Sequence, residues 1–92
     1  MKKILLITLM FISPVMAVQI ESDAQFSSNV DRNDTELINA ITDMVIGSGY
    51  RCDSVSAITR SSWDGNFTLL CNGYNYKYQI EDKGGNWTVT LD

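Results

Sequence analysis

The chain has 92 residues, with seven basic and eleven acidic side chains and no histidine. That length is one small domain, and the acidic balance argues against nucleic acid or an anionic membrane as partner, since either must be met with positive charge. Without histidine, Ser-His, Cys-His and His-metal chemistry are excluded too.

The first segment carries an address. Lys2 and Lys3 precede an apolar run over residues 4–12 that only Thr8 interrupts, and Ser13-Pro14 then breaks any helix. Val15 and Ala17 stand at the −3 and −1 positions of a cleavage site, so residues 1–17 are predicted to be a secretory signal peptide cut near Ala17. The run is shorter than the roughly 20 residues that span a hydrocarbon core. No cysteine stands directly after Ala17 to take a lipid, so the reading gives no stable membrane anchor after cleavage. The predicted location is the periplasm, or outside the cell. Removing Lys2 and Lys3 leaves five basic residues against all eleven acidic ones, a net charge of −6.

Residues 18–32 are polar and without sustained period, and predict a flexible or extended N-terminal arm, with Val18, Ile20, Phe26 and Val30 able to pin it. Residues 33–92 form the single small domain. A helix begins at Asn33 or Asp34, either of which can cap it, and Glu36 has the capping-box spacing from Asn33. Leu37, Ile38, Ile41, Met44 and Val45 make one apolar stripe, with Asn39, Thr42 and Asp43 on the wetter side. Gly47-Ser48-Gly49 ends the helix.

Beyond Gly49 the period turns from helical to alternating. Phe67, Leu69 and Cys71, then Tyr74, Tyr76, Tyr78 and Ile80, then Trp87, Val89 and Leu91 predict three half-buried strands, with a less regular one near residues 52–60. Asp64-Gly65, Asn72-Gly73 and Gly84-Gly85 are the dipeptides of tight turns. Two-residue turns at the last two set Leu69 opposite Tyr76, Phe67 opposite Tyr78, and Ile80 opposite Val89, all on one face. The predicted fold is α+β: one N-terminal helix packed on a four-stranded antiparallel β-meander with one disulfide.

Cys52 and Cys71 are the two cysteines, and in an exported chain they predict that disulfide. A two-residue turn at Asp64-Gly65 would set Ile58 opposite Cys71, so either the first hairpin has a longer loop or Cys52 arrives from the segment joining helix to sheet.

No motif specifies catalysis. Carboxylate pairs such as Asp53 with Asp64, or Glu81 with Asp82, lie where strands and turns usually carry charge. The run Asp31 to Thr35 echoes a calcium loop, but Glu36 stands where glycine is required and Thr42 where glutamate is, so a helix cap explains it. Asn33, Asn66 and Asn86 each open an Asn-x-Thr triplet, the form of a glycosylation acceptor and equally of a turn.

The aromatic residues offer more. Tyr74, Tyr76 and Tyr78, with Trp87 and Phe67, form either a core row or a surface that stacks on sugars. Trp63 falls outside the alternation, beside a turn, as a contact anchor or a residue packed on the sheet rim. Leu70, Lys77 and Gln79 belong to an outer sheet face with Thr68, Asn75, Glu81, Thr88 and Thr90, either solvated or protein-binding. The sequence thus reads as an exported non-enzymatic domain without cofactor or metal. It would bind another protein, a basic one on the charge balance, as an inhibitor, immunity factor or accessory subunit does, with Trp63, Leu70, Lys77 and Gln79 as contacts. The alternative is a small-ligand or glycan binder using the aromatic residues.

Overall fold

The computed structural model describes residues 18–92, so the signal-peptide segment, residues 1–17, lies outside the described residues. The order of elements is β1 (Gln19–Phe26), α1 (Thr35–Gly47), β2 (Ser54–Arg60), β3 (Phe67–Cys71), β4 (Tyr76–Lys83) and β5 (Asn86–Leu91). All five strands form one sheet in sequence order, with β1 parallel to β2 and every other pair antiparallel.

The fold is α+β, but the sheet has five strands and is mixed, where a four-stranded antiparallel meander was expected. The meander is its β2–β5 part. The added strand comes from the segment read as an arm, whose irregular pattern has a cause: between Ile20 and Gln25, β1 advances five residues while β2 advances two, from Val55 to Ala57. A strand bulged this far shows no period of two. The helix is therefore not N-terminal to the sheet, but the crossover that a parallel β1–β2 pair requires.

Asp34 caps α1, its carboxylate accepting from the Leu37 N–H at 3.1 Å. Ile38, Ile41 and Val45 are buried from the helix side against Val55, Ile58, Leu69, Tyr78 and Ile80 of the sheet. Thr42, placed on the wetter side by the sequence, is buried instead. Its hydroxyl donates to the carbonyls of Ile38 and Asn39, both at 3.1 Å, so burial leaves it no unmet donor.

The β4–β5 register follows the sequence reading, with Ile80 opposite Val89 and Tyr78 opposite Leu91 across Gly84-Gly85. At β3–β4 it does not. Leu69 lies opposite Tyr78 and Phe67 opposite Ile80, so the connection is a four-residue loop, 72–75. Loop groups are bound to distant partners: the Asn72 carbonyl Oδ1 accepts from the N–H groups of Asp53 and Ser54, the Gly73 N–H donates to Glu21 and the Tyr74 N–H to Ser56. Asn72, Gly73 and Tyr74 all take positive φ to reach them. The shift is by two residues, so every side chain keeps its face.

Cys52 and Cys71 are joined, with Cα atoms 5.3 Å apart. Both routes open to the sequence are used. The β2–β3 loop is longer than two residues, spanning 61–66, and Cys52 lies in the connection just before β2. From the same connection Arg51 is held by Tyr78, whose hydroxyl donates to its carbonyl at 2.6 Å and accepts from its N–H at 3.3 Å.

Candidate functional site

The β2–β3 loop presents Trp63 with 94% of its surface exposed. Local chemistry fixes the loop beneath it. The Ser61 N–H donates to the Asn66 carbonyl and the Gly65 N–H to the Ser61 carbonyl, each at 2.9 Å. The Ser61 hydroxyl accepts from the Trp63 N–H at 3.2 Å, and the Asp64 carboxylate from the Asn66 N–H at 3.0 Å. That last bond is the main cause holding the Asp64 carboxyl below its ordinary pKa. Asn66 braces the loop to β4, its Oδ1 accepting from the Asp82 N–H at 3.1 Å. At the loop's foot the Arg60 guanidinium lies over the Phe67 ring at 5.1 Å. Asn29 and Ser27, just after β1, bond the Arg60 carbonyl and N–H. Among the described residues Trp63 thus has no packing partner, while its backbone is held from three sides.

Leu70, Lys77 and Gln79 do come together, on the sheet face away from the helix. Leu70 is half-buried and directly opposite Lys77. The Lys77 ammonium is 3.5 Å from the Asp92 carboxylate, to which Gln79 also donates at 3.2 Å, and Gln79 accepts from Thr68 at 3.0 Å. Bonds from Gln79 and Lys77 hold the Asp92 carboxyl below its usual range. These groups form a tied polar row. Trp63 belongs to a different place, at the Phe67 end of β3, whereas Leu70 adjoins Cys71 at the other end.

The tyrosines do not make an open row. Tyr78 is buried, Tyr76 is half-buried against it with ring centroids 6.4 Å apart, and Tyr74 is exposed in the loop at a φ of 68°. Trp87 and Leu91, which alternation sets on the same face as Val89, are 45% and 51% exposed. The fully buried side chains of the sheet lie on β2, β3 and β4 under the one helix, and β5 is the strand beyond them.

The carboxylate pairs dissolve into structural roles. Asp53 pairs with Arg51 at 2.9 Å before β2, while Asp64 holds the loop at the far end of that strand. Glu81 pairs with Lys83 at 3.3 Å, and Asp82 accepts from the Gly85 N–H at 2.7 Å to close the last turn. Asp31 accepts from the Asn33 N–H ahead of the helix cap. Among the described residues no group of three or more His, Cys, Asp or Glu side chains could hold a metal ion. Asn33 and Asn86 are exposed, and Asn66 is half-buried and engaged with β4.

One constellation gave no sign in the sequence. A single oxygen of Glu21 accepts from the Ser54 hydroxyl at 2.7 Å, the Ser56 hydroxyl at 2.7 Å and the Gly73 N–H at 2.9 Å. Ser56 is the extra residue of a β2 bulge, between Val55 opposite Cys71 and Ala57 opposite Leu70. Fully buried, it donates to Glu21 and accepts from the Tyr74 N–H at 3.1 Å. The Ser54 bond first, then those from Gly73 and Ser56, hold the Glu21 carboxyl below its ordinary pKa. The arrangement clips β1 to β2 and to the 72–75 loop, and every group in it is already satisfied within the chain.

The chain matches no protein-family model, no curated protein and no solved structure.

Proposed function

We propose that the chain is an exported, non-enzymatic domain that binds another protein, with the Trp63 loop as its anchor. The observation that carries this is the pairing of a fully presented indole with a loop ordered by its own hydrogen bonds. Nothing in the domain's packing uses Trp63. Burying such a side chain covers about 150–250 Å², on the order of 4–6 kcal/mol at 25 cal/mol per Å². A braced loop loses little freedom when a partner closes on it, so less of that gain goes into ordering. The surplus of carboxylates supports a basic partner surface around the indole. The disulfide suits an oxidising compartment, and no helix among the described residues is long and apolar enough to cross a membrane.

The test is capture from an envelope extract of the native organism on the immobilised, oxidised protein, with Trp63→Ala beside it. One protein retained stoichiometrically by the parent, released by salt and lost with Trp63→Ala, supports the reading. Equal retention on both surfaces, or none on either, refutes it.

A further inference from the structure

The two edges of the sheet are β1 and β5. A free edge is a row of unpaired backbone donors and acceptors, which natural proteins usually blunt with charge, bulges or cover. β1 is blunted: it bulges between Ile20 and Gln25, and it carries Glu21 and Asp23. β5 is not. Its sequence, NWTVTL, has no charge, no proline and no glycine, and its pairing with β4 runs without a bulge.

The phase of its free groups is fixed. Lys83 and Asn86 close the two-residue turn, and the Asp92 N–H donates to the Lys77 carbonyl at 2.8 Å. Residues 86, 88, 90 and 92 therefore turn their backbone groups toward β4, and Trp87, Val89 and Leu91 turn theirs outward. The same three residues point their side chains to the helix side, where Trp87 and Leu91 are about half exposed.

We infer that β5 is the interface of a homodimer, pairing antiparallel with β5 of a second copy about a two-fold axis at Val89. This register places Val89 opposite Val89 and Trp87 opposite Leu91 on the helix side, with Thr88 opposite Thr90 on the other. Every outward backbone group of 87, 89 and 91 finds a partner, and each exposed apolar side chain of β5 meets an apolar one. Cross-strand aromatic–aliphatic and Thr–Thr pairs are the stabilising units of a sheet. Charge agrees. A second copy carries the same acidic surplus, and it can approach along an uncharged strand. Asp92 comes opposite the uncharged Asn86 of the second copy, and its carboxylate is already paired with Lys77 of its own chain, so no carboxylate directly opposes another along the paired strands. Assembly stops at two copies, because the remaining edges of the ten-stranded sheet are the bulged, acidic β1 strands. The interface is separate from the Trp63 loop and stands or falls independently of it.

Amide hydrogen exchange and sedimentation of the oxidised protein, from about 10 µM to about 1 mM, test this without a mutation. The expected result is a mass rising from one chain to two, with protection gained in alternation at the N–H groups of Trp87, Val89 and Leu91. A second arm uses charge. Trp87→Lys and Leu91→Glu should each weaken self-association roughly tenfold or more, while mixing the two gives a heterodimer with one Lys–Glu and one Trp–Leu pair. A single-chain mass throughout overturns the inference. So does a dimer in which those three amides exchange at the same rate as in the monomer.

Discussion

Along β1, the backbone departs from its neighbour for several residues, and Glu21 reaches over β2 to collect two serine hydroxyls and a loop amide. Along β5, an unbroken ladder of six residues holds an uncharged strand whose outer side meets nothing among the described residues. The first edge is secured by long-range polar contacts and gives nothing to a visitor. The second is secured by a tight turn and a register, and leaves half of its backbone groups to spend elsewhere. Two edges of one small sheet can thus be stabilised by different means, and the means chosen decides which of them is available for association.

The largest way to break this contrast is to loosen the β1 side at its root. Cys52 and Cys71 enclose a loop of 19 residues' separation beside the start of β2. Removing the bond through Cys52→Ser with Cys71→Ser should cost about 3 kcal/mol, a fall in melting temperature of roughly 12–24 °C. Hydrogen exchange should quicken most at β1 and β2, and least at the Gly84-Gly85 turn. Next comes Ser56→Ala, which leaves the Tyr74 N–H without its acceptor and Glu21 one donor short. Denaturant unfolding should register a loss of about 1–2 kcal/mol, large for one oxygen atom.

A gentler change sharpens the same clip. The Glu21 carboxyl is held below its ordinary value by the Ser54 hydroxyl, the Gly73 N–H and the Ser56 hydroxyl. Its contribution is therefore complete above the unfolded carboxylate value, about 4.3. It is lost as pH falls through the lower folded value. Melting temperature plotted against pH should fall below that point, and less steeply for Glu21→Gln. Some slope should remain in the variant, because Asp64 and Asp92 are shifted in the same direction. The smallest stability effect belongs to Trp63→Ala, within about 0.5 kcal/mol by calorimetry, since the indole packs on nothing. A large loss there would mean that Trp63 serves the fold, and would remove the basis for its role as an anchor.

What was legible in the sequence was what local chemistry decides. A helix cap at Asn33 or Asp34, the stripe from Leu37 to Val45, the Gly84-Gly85 hairpin and the one disulfide follow from spacing and residue type, and the fold selects Asp34 as the cap. The failures share a cause. The dipeptide Asn72-Gly73 predicts a turn two residues shorter than the 72–75 loop because Asn72, Gly73 and Tyr74 answer to Asp53, Ser54, Glu21 and Ser56, at separations of 18 to 52 residues. The sequence of β1 predicts a flexible or extended arm and no paired strand because a bulge erases alternation. For Trp87 and Leu91 alternation reports which face a side chain takes, and not whether one helix is wide enough to cover it. At the candidate site, the sequence marked Trp63 as the aromatic outside the pattern, while the bonds that brace its loop could only be seen in the fold.

The parallel pairing of β1 also orders events in time. Gln19 meets Ser54, 35 positions later, whereas every other strand pair is joined directly by a short loop. Hairpins of that kind close in about 1–10 µs, and a contact across a longer loop carries a larger closure entropy. The three-hairpin sheet should therefore assemble first, with β2 bare along one side and β5 along the other. During that interval the young domain has two sticky margins, and the docking of β1 is the step that leaves it with one.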